Sequence, residues 1–213
     1  QNHVQRIALR AHQHLKNWSE GLRLARSLEK RNALHPVLAL RLKQMAVEAM
    51  LEERRHDAEA LFHFWRSLTA DERHAVRIAE LGARYFSSLG KQNEARRIVE
   101  EALKVNWDSR LVQRYADCAE PGKALPQIQQ AEKWLVDHPT DADLYYTLGV
   151  LCLGEQLWGK AQSNFERTLK YADRDAQRRI CIRAHLALAR LFEETDRAED
   201  AQRHYREGAM LAA

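Results

Sequence analysis

Tyr145, Leu148, Gly149 and Cys152 recur at helical spacing, and after a short break Ala161 and Phe165 stand four residues apart. Residues three and four apart share one face of a helix, so each set forms a packing stripe. Gly149 lets a second helix approach, Ala161 admits the neighbour, and the Phe165 ring fills the gap that the small residues leave. The pattern predicts two antiparallel helices closed on each other. Such a pair cannot bury its apolar face alone, so it also predicts stacked copies. A stack of hairpins offers a binding surface before it offers an active site.

A large residue, Leu-Gly, a third packing residue, then Ala with an aromatic four positions on is the tetratricopeptide pattern, with Tyr145 where Trp is usual. The small residue opening each second helix recurs at Gly21, Ala58, Ala95, Ala161 and Ala201, with Gln127 as the equivalent in the least clear copy. The intervals scatter around the roughly 34 residues of such a repeat. A third copy carries Leu81-Gly82, Phe86, Ala95 and Ala102, the last carries Leu188-Ala189, Phe192, Ala201 and Tyr205, and a looser second one carries Leu42, Met45, Ala58, Phe62 and Trp65. Pro36 suits the first turn of a helix, Asp108 and Asp141 suit N-caps, and His138-Pro139 suits a helix end. Residues 172–179 are extra to the repeat and predict a longer first helix in the last copy. The pattern therefore predicts one all-α domain over residues 1–213, with about six tetratricopeptide-like hairpins forming a right-handed superhelix. The approximate repeats are 1–35, 36–70, 71–107, 108–140, 141–173 and 174–213.

Composition agrees. Apolar residues make up 45% and charged residues 30%, with only eight glycines and four prolines to build turns, which suits helices and not hairpin-rich sheets. The 34 basic and 30 acidic residues leave a net charge of +4, interspersed as on solvated helix faces and well short of a nucleic-acid-binding tail. Cys118, Cys152 and Cys181 are widely spaced and odd in number, so neither a disulfide framework nor a metal clip follows, and a reducing compartment fits. No apolar run reaches the length of a membrane span and no signal peptide opens the chain. It begins at Gln1 without Met, as an excised domain would.

Chemical motifs are few. Gly154 to Lys160 matches the spacing of a phosphate-binding loop, but Ala161 stands where Ser or Thr would hold Mg²⁺, and a helix precedes it where a strand is required. No G-x-G supports a dinucleotide site. His12 and His14 are two apart, so on a helix they point to different faces and share no metal. Neither C-x-x-C-H nor a Cys-Pro pair marks a haem attachment, and the expectation is no catalytic residue, no resident cofactor and no metal. Trp65, Trp134, Phe165 and Tyr205 fall at packing positions of second helices. Trp18 and Trp158 sit at interhelix turns, where they would wedge neighbouring pairs.

In such arrays the first helices line the concave groove. Projecting the register puts Arg6, Arg10, Lys43, Arg77, Arg84, Tyr146, Arg183 and Arg190 there, interrupted by Glu80, Glu193 and Glu194. Seven cations in one groove predict a preference for carboxylate-bearing partners.

Several segments resemble one group of repeat proteins. Asn106-Trp107-Asp108, Glu132-Lys133-Trp134-Leu135 running to His138-Pro139, and Leu148-Gly149 followed by Leu157-Trp158-Gly159-Lys160-Ala161 are similar to the proteobacterial HemY family. Asn17-Trp18 and Tyr205-Arg206-Glu207-Gly208 fit the same order, while Tyr115-Ala116 departs from an expected Tyr-Gly. The resemblance implies the repeat domain of a bacterial inner-membrane protein of haem biosynthesis, its membrane helices absent from this chain and this domain on the cytoplasmic side. It implies a non-enzymatic scaffold for haem-pathway enzymes, with direct binding of haem or another porphyrin as the alternative. The unrelated flavin-dependent oxidase of the same name is excluded by the missing dinucleotide motif.

Overall fold

Helices begin where the sequence supplies an acceptor for their first amides. The computed structural model describes Ile7, Arg10 and residues 17–213; Arg6, His12 and His14 lie outside the described residues. Asn17, Asp57, Asp108 and Asp141 each accept a backbone N–H of the helix that follows, and Pro36 stands in the first turn of another. Such caps satisfy amides that have no partner within the helix.

Among the described residues there are twelve helices and no strand: α1 (Trp18–Lys30), α2 (Pro36–Glu53), α3 (Ala58–Ser67), α4 (Ala70–His74), α5 (Val76–Ser88), α6 (Gln92–Val105), α7 (Ser109–Asp117), α8 (Leu125–Asp137), α9 (Ala142–Gly154), α10 (Trp158–Tyr171), α11 (Arg178–Glu194) and α12 (Ala198–Ala212). The expected all-α class of tetratricopeptide-like helical hairpins is what folds. The chain forms two units, residues 1–106 and 107–213.

In the first unit α1 packs on α2, α5 on α6, and α2 on α5. Leu24, Ala25, Leu28, Ala33, Leu34 and Ala39 form one buried cluster, with Leu42 against it. The fourth residue of α1 and of α6, Gly21 and Ala95, is buried. In α3 that place falls to Leu61, fully buried, while Ala58 opens the helix and is only half-buried. The cap at Asp57 starts the helix there, so the anchor of this copy sits three residues later than its small residue suggests. The extra helix α4 was not expected. Thr69 and Glu72 form a reciprocal capping box at its start, a signal visible as Thr-x-x-Glu.

In the second unit α9 is the central element, packed on α7, α8, α10 and α11, and nine of its residues are buried. Trp107 closes the α7 end. Its ring stacks on His138 at 3.7 Å, and its Nε1–H donates to Asp141 Oδ2 at 2.7 Å. Trp158, by contrast, opens α10 and is 37% exposed. The first helix of the last copy is longer, as expected, with 17 residues in α11 against 13 in α9, but residues 173–177 do not join it. Asp173 Oδ1 accepts the amides of Asp175 and Ala176, a side-chain turn that competes with helix, so α11 starts only at Arg178. Cys118, Cys152 and Cys181 are all buried as thiols.

The glycine at the centre of the repeat pattern has the role its spacing predicts. A methyl group on Gly149 would lie 2.5 Å from the Phe165 ring, and one on Gly82 would lie 2.5 Å from the Trp65 ring. Phe165 is completely buried and has no free side to retreat to. Gly149→Ala should therefore destabilise the chain by about 1–3 kcal/mol through overpacking, against the roughly 1 kcal/mol that alanine gains over glycine in an unobstructed helix. Urea unfolding followed by far-UV circular dichroism reads the sign, and a variant of unchanged or higher stability would refute the close approach.

Candidate interaction site

The buried stripes of α7 and α9 dictate what the opposite edges present. In α7, Leu111, Val112 and Tyr115 face inward, which leaves Gln113 on the partly accessible side. In α9 the half-buried residues Tyr146, Val150 and Leu153 fall at helical spacing. In α11 the exposed residues Arg183, Leu186 and Arg190 do the same. Residues from three first helices therefore meet in the second unit.

Four of them form a defined network. Gln113 Nε2–H donates to Asp143 Oδ1 at 2.6 Å, and Arg183 Nη1–H donates to Gln113 Oε1 at 2.8 Å. The Arg183 guanidinium lies 4.6 Å from the Tyr146 ring centroid. A glutamine suits the bridging place because its amide has a donor end for the carboxylate and an acceptor end for the guanidinium. Asp143 is 7% exposed, so a carboxylate sits beneath the surface with the Arg183 charge above it. Thr147 Oγ1–H donates to the Val112 carbonyl at 2.9 Å and ties α9 to α7. The outcome is an exposed arginine held by Gln113 on one side and the Tyr146 ring on another.

The expected groove residues fall in several settings. Arg183 and Tyr146 are brought together. Arg190 is exposed on the same helix face, near the Glu193 to Tyr205 hydrogen bond. In the first unit Lys43 is largely occupied, its Nζ 2.6 Å from Glu29, and Arg77 lies 3.5 Å from Glu48 and 4.0 Å from Glu80. Arg84 is exposed with its guanidinium 5.1 Å from the Tyr85 ring. Arg10 is exposed and helical. Two of the cations predicted for the first unit, Lys43 and Arg77, are thus met by that unit's own carboxylates. Its most buried ion pair, Arg26 with Glu72, was not anticipated; Arg26 Nε donates to Glu72 Oε1 at 2.8 Å. Burial pushes the Glu72 carboxyl up, but Arg26 and the Thr69 amide outweigh it and hold the pKa low.

Sequence reasoning also missed Gln113 and Asp143. The aspartate is a second acid two residues after the Asp141 cap, where acids are common for helix-dipole reasons, and nothing local marks it as buried. Nor did it find the cleft of about 280 Å³ in the first unit, floored by Phe62, Trp65 and Phe86 and rimmed by Arg66, Arg97 and Glu101. The phosphate-loop lookalike proves to be the turn joining α9 and α10, where Lys160 pairs with Glu132 at 3.0 Å.

No family model matches the chain, and no curated protein matches it. Among solved structures it is similar to MamA of Desulfovibrio magneticus RS-1 from residue 41 onward, with 16% identity over 90% of this chain and 94% of that one and a TM-score of 0.49. A crystal structure of MamA matches at 13% identity over 78% and 94% of the two chains, TM-score 0.47. A double mutant of MamA from RS-1 matches at 17% over 79% and 92%, TM-score 0.47. Likeness of this degree says nothing about what either protein binds.

These findings overturn the HemY resemblance. Its quoted segments are aromatic caps, turns and packing positions that any stacked hairpin needs, and the neighbours found are MamA chains. The inner-membrane placement inherited from it falls too: among the described residues no helix is long and apolar enough to cross a membrane.

Burial has the largest effect on the Asp143 carboxyl and pushes its pKa above the ordinary 3.8, with Gln113 and Arg183 pulling down and Asp141 and Asp108 pushing up. The folded state then holds a proton at pH values where the unfolded chain has lost it, so this group's contribution to stability falls as pH rises from 3.8 through the higher folded value. Asp143→Asn should remove that slope. Urea unfolding from about pH 4 to 7 should show stability converging on, or passing above, that of the parent as pH rises. Parallel curves would mean that the carboxyl titrates normally.

Proposed function

We propose that the chain is a non-enzymatic protein-interaction scaffold, and that the α7, α9 and α11 face of its second unit receives an acidic, extended segment of a partner protein. The observation that carries this reading is the Arg183 guanidinium, held by Gln113 and set over Tyr146 before any partner arrives. A guanidinium fixed in advance loses little side-chain entropy on pairing with a carboxylate. Arg190 and the 37% exposed Leu186 extend the face along α11, so the segment that fits it alternates carboxylates with an apolar side chain.

The partner is defined by that chemistry, with no pathway attached to it. A haem or porphyrin ligand was the alternative reading, with its propionates on the arginines and its ring on Tyr146. The structure supports it less. The Arg183 guanidinium stands over the Tyr146 ring, where a flat ligand would have to displace it, and Phe165 packs beside it at 5.6 Å.

Panning a display library of random twelve-residue peptides on the whole chain tests the proposal. Enriched peptides should be rich in Asp and Glu, and their affinity in fluorescence anisotropy should fall at least tenfold in Arg183→Glu, with the circular dichroism spectrum unchanged. Enrichment without acidic bias, or equal affinity for the variant, would refute it. A haem titration that saturates at one equivalent with a shifted Soret band, and is weakened in Arg183→Glu, would favour the alternative.

A further inference from the structure

The last hairpin contains a second polar cluster, unconnected with the Arg183 network. His185 of α11 and His204 of α12 are each 8% exposed, and their Nδ1 atoms face each other at 2.9 Å. Glu207 stands three residues after His204, on the same side of α12, with its Oε2 3.5 Å from His185 Nδ1. One ligand atom from each of the three lies within 4.8 Å of the other two.

We propose that His185, His204 and Glu207 bind a divalent transition-metal ion of the Zn²⁺ type, with water completing the coordination. Neutral imidazole and carboxylate are the donor set of three-ligand zinc sites, which keep one position for solvent. Two imidazole nitrogens about 2.0–2.1 Å from a tetrahedral ion lie about 3.3 Å apart. The pair therefore needs to open by only a few tenths of an ångström. Glu207, with its side chain 46% exposed, is the ligand that can swing in and the side from which an ion arrives.

A simple histidine pair accounts for this arrangement less completely. One Nδ1–H can donate to the other Nδ1, but the Glu207 oxygen then faces the same small space as a second acceptor for that single hydrogen. A cation at the centre satisfies all three donors together. Burial pushes the pKa values of both imidazoles down, against the pull of Glu207. Phe192 packs on His204 at 5.5 Å. Gly208 lies beside His185, where an added methyl would already touch its Cβ at 3.4 Å. These contacts hold the rings in orientation, as supporting residues do around metal ligands. Arg174 and Arg203 place positive charge near the cluster, while Asp200 and Glu166 place negative charge there.

Spacing rules alone did not find this set, because His185 and His204 stand on different helices and only the hairpin joins them.

Isothermal titration of the chelator-stripped whole chain with Zn²⁺ tests the proposal, with Co²⁺ absorption as a readout of coordination. The expected result is one saturable equivalent, a raised melting temperature at excess metal, and affinity at least tenfold weaker in Glu207→Gln. His204→Gln should abolish the site. Should that variant unfold, Glu207→Gln at a half-exposed position still decides. No saturable binding at one equivalent would overturn the proposal, as would affinity unchanged in Glu207→Gln.

Discussion

Phe165 seated on Gly149 sets how near α10 comes to α9, and everything that the second unit displays depends on that distance. A ring can lie flat against a helix only where no Cβ projects. The contact therefore combines the burial of a large apolar side chain, worth roughly 1.5–3 kcal/mol, with a short interaxial separation. With α10 held on one side, α9 meets α7 and α11 on others, and its few uncovered residues become a narrow strip. Tyr146 is in that strip because Tyr145, its neighbour, is drawn inward to donate its hydroxyl to the Pro139 carbonyl at 2.9 Å. Trp65 on Gly82 is the same device in the first unit, with one difference of connection. There the ring comes from the preceding hairpin, so the glycine registers one hairpin against the next instead of closing its own.

Charge is distributed differently in the two units. In the first, cations are met by local carboxylates: Lys43 by Glu29 and Arg77 by Glu48 and Glu80 on first helices, and Arg26 by Glu72. The exposed pairs of Arg77 add little stability, but all of these pairs reduce what is offered to a partner. In the second unit Arg183 is held by a neutral amide, and the compensating carboxylate lies one step deeper at Asp143. Its charge is steadied without being cancelled at the surface, which is the better arrangement for meeting an external carboxylate.

What could be read from the residues follows from range. The helices, their caps at Asp108 and Asp141, the break at His138-Pro139 and the Gly149–Phe165 contact are local, determined by spacing of a few residues along one chain segment. The capping box at Thr69 was equally local and was overlooked, and α4 with it. The anchor in α3 was misplaced because a small residue, Ala58, and a cap, Asp57, compete for the same turn. Tyr146 and Arg183 could be placed on an accessible side from periodicity, but their meeting depends on α9 and α11 lying side by side. Gln113, Asp143 and the His185–His204 pair carry no local signature at all; hydrogen bonds between separate helices give them their roles. The HemY resemblance failed for a related reason, since Trp, Leu-Gly and capping residues recur wherever hairpins stack.

The three cysteines of the chain fall one to each hairpin of the second unit, at the end of α7, in α9 and in α11, and all are buried. Burial pushes the thiols of Cys152 and Cys181 toward the unreactive protonated form. Each sulfur therefore becomes available to an alkylating reagent only when its own hairpin parts from its neighbours. Local opening in stacked repeats is graded and not all-or-none, and here the gradations can be resolved by mass, one adduct at a time. The protein thus carries its own set of internal clocks, from which the order in which its hairpins breathe can be read without introducing a single foreign residue.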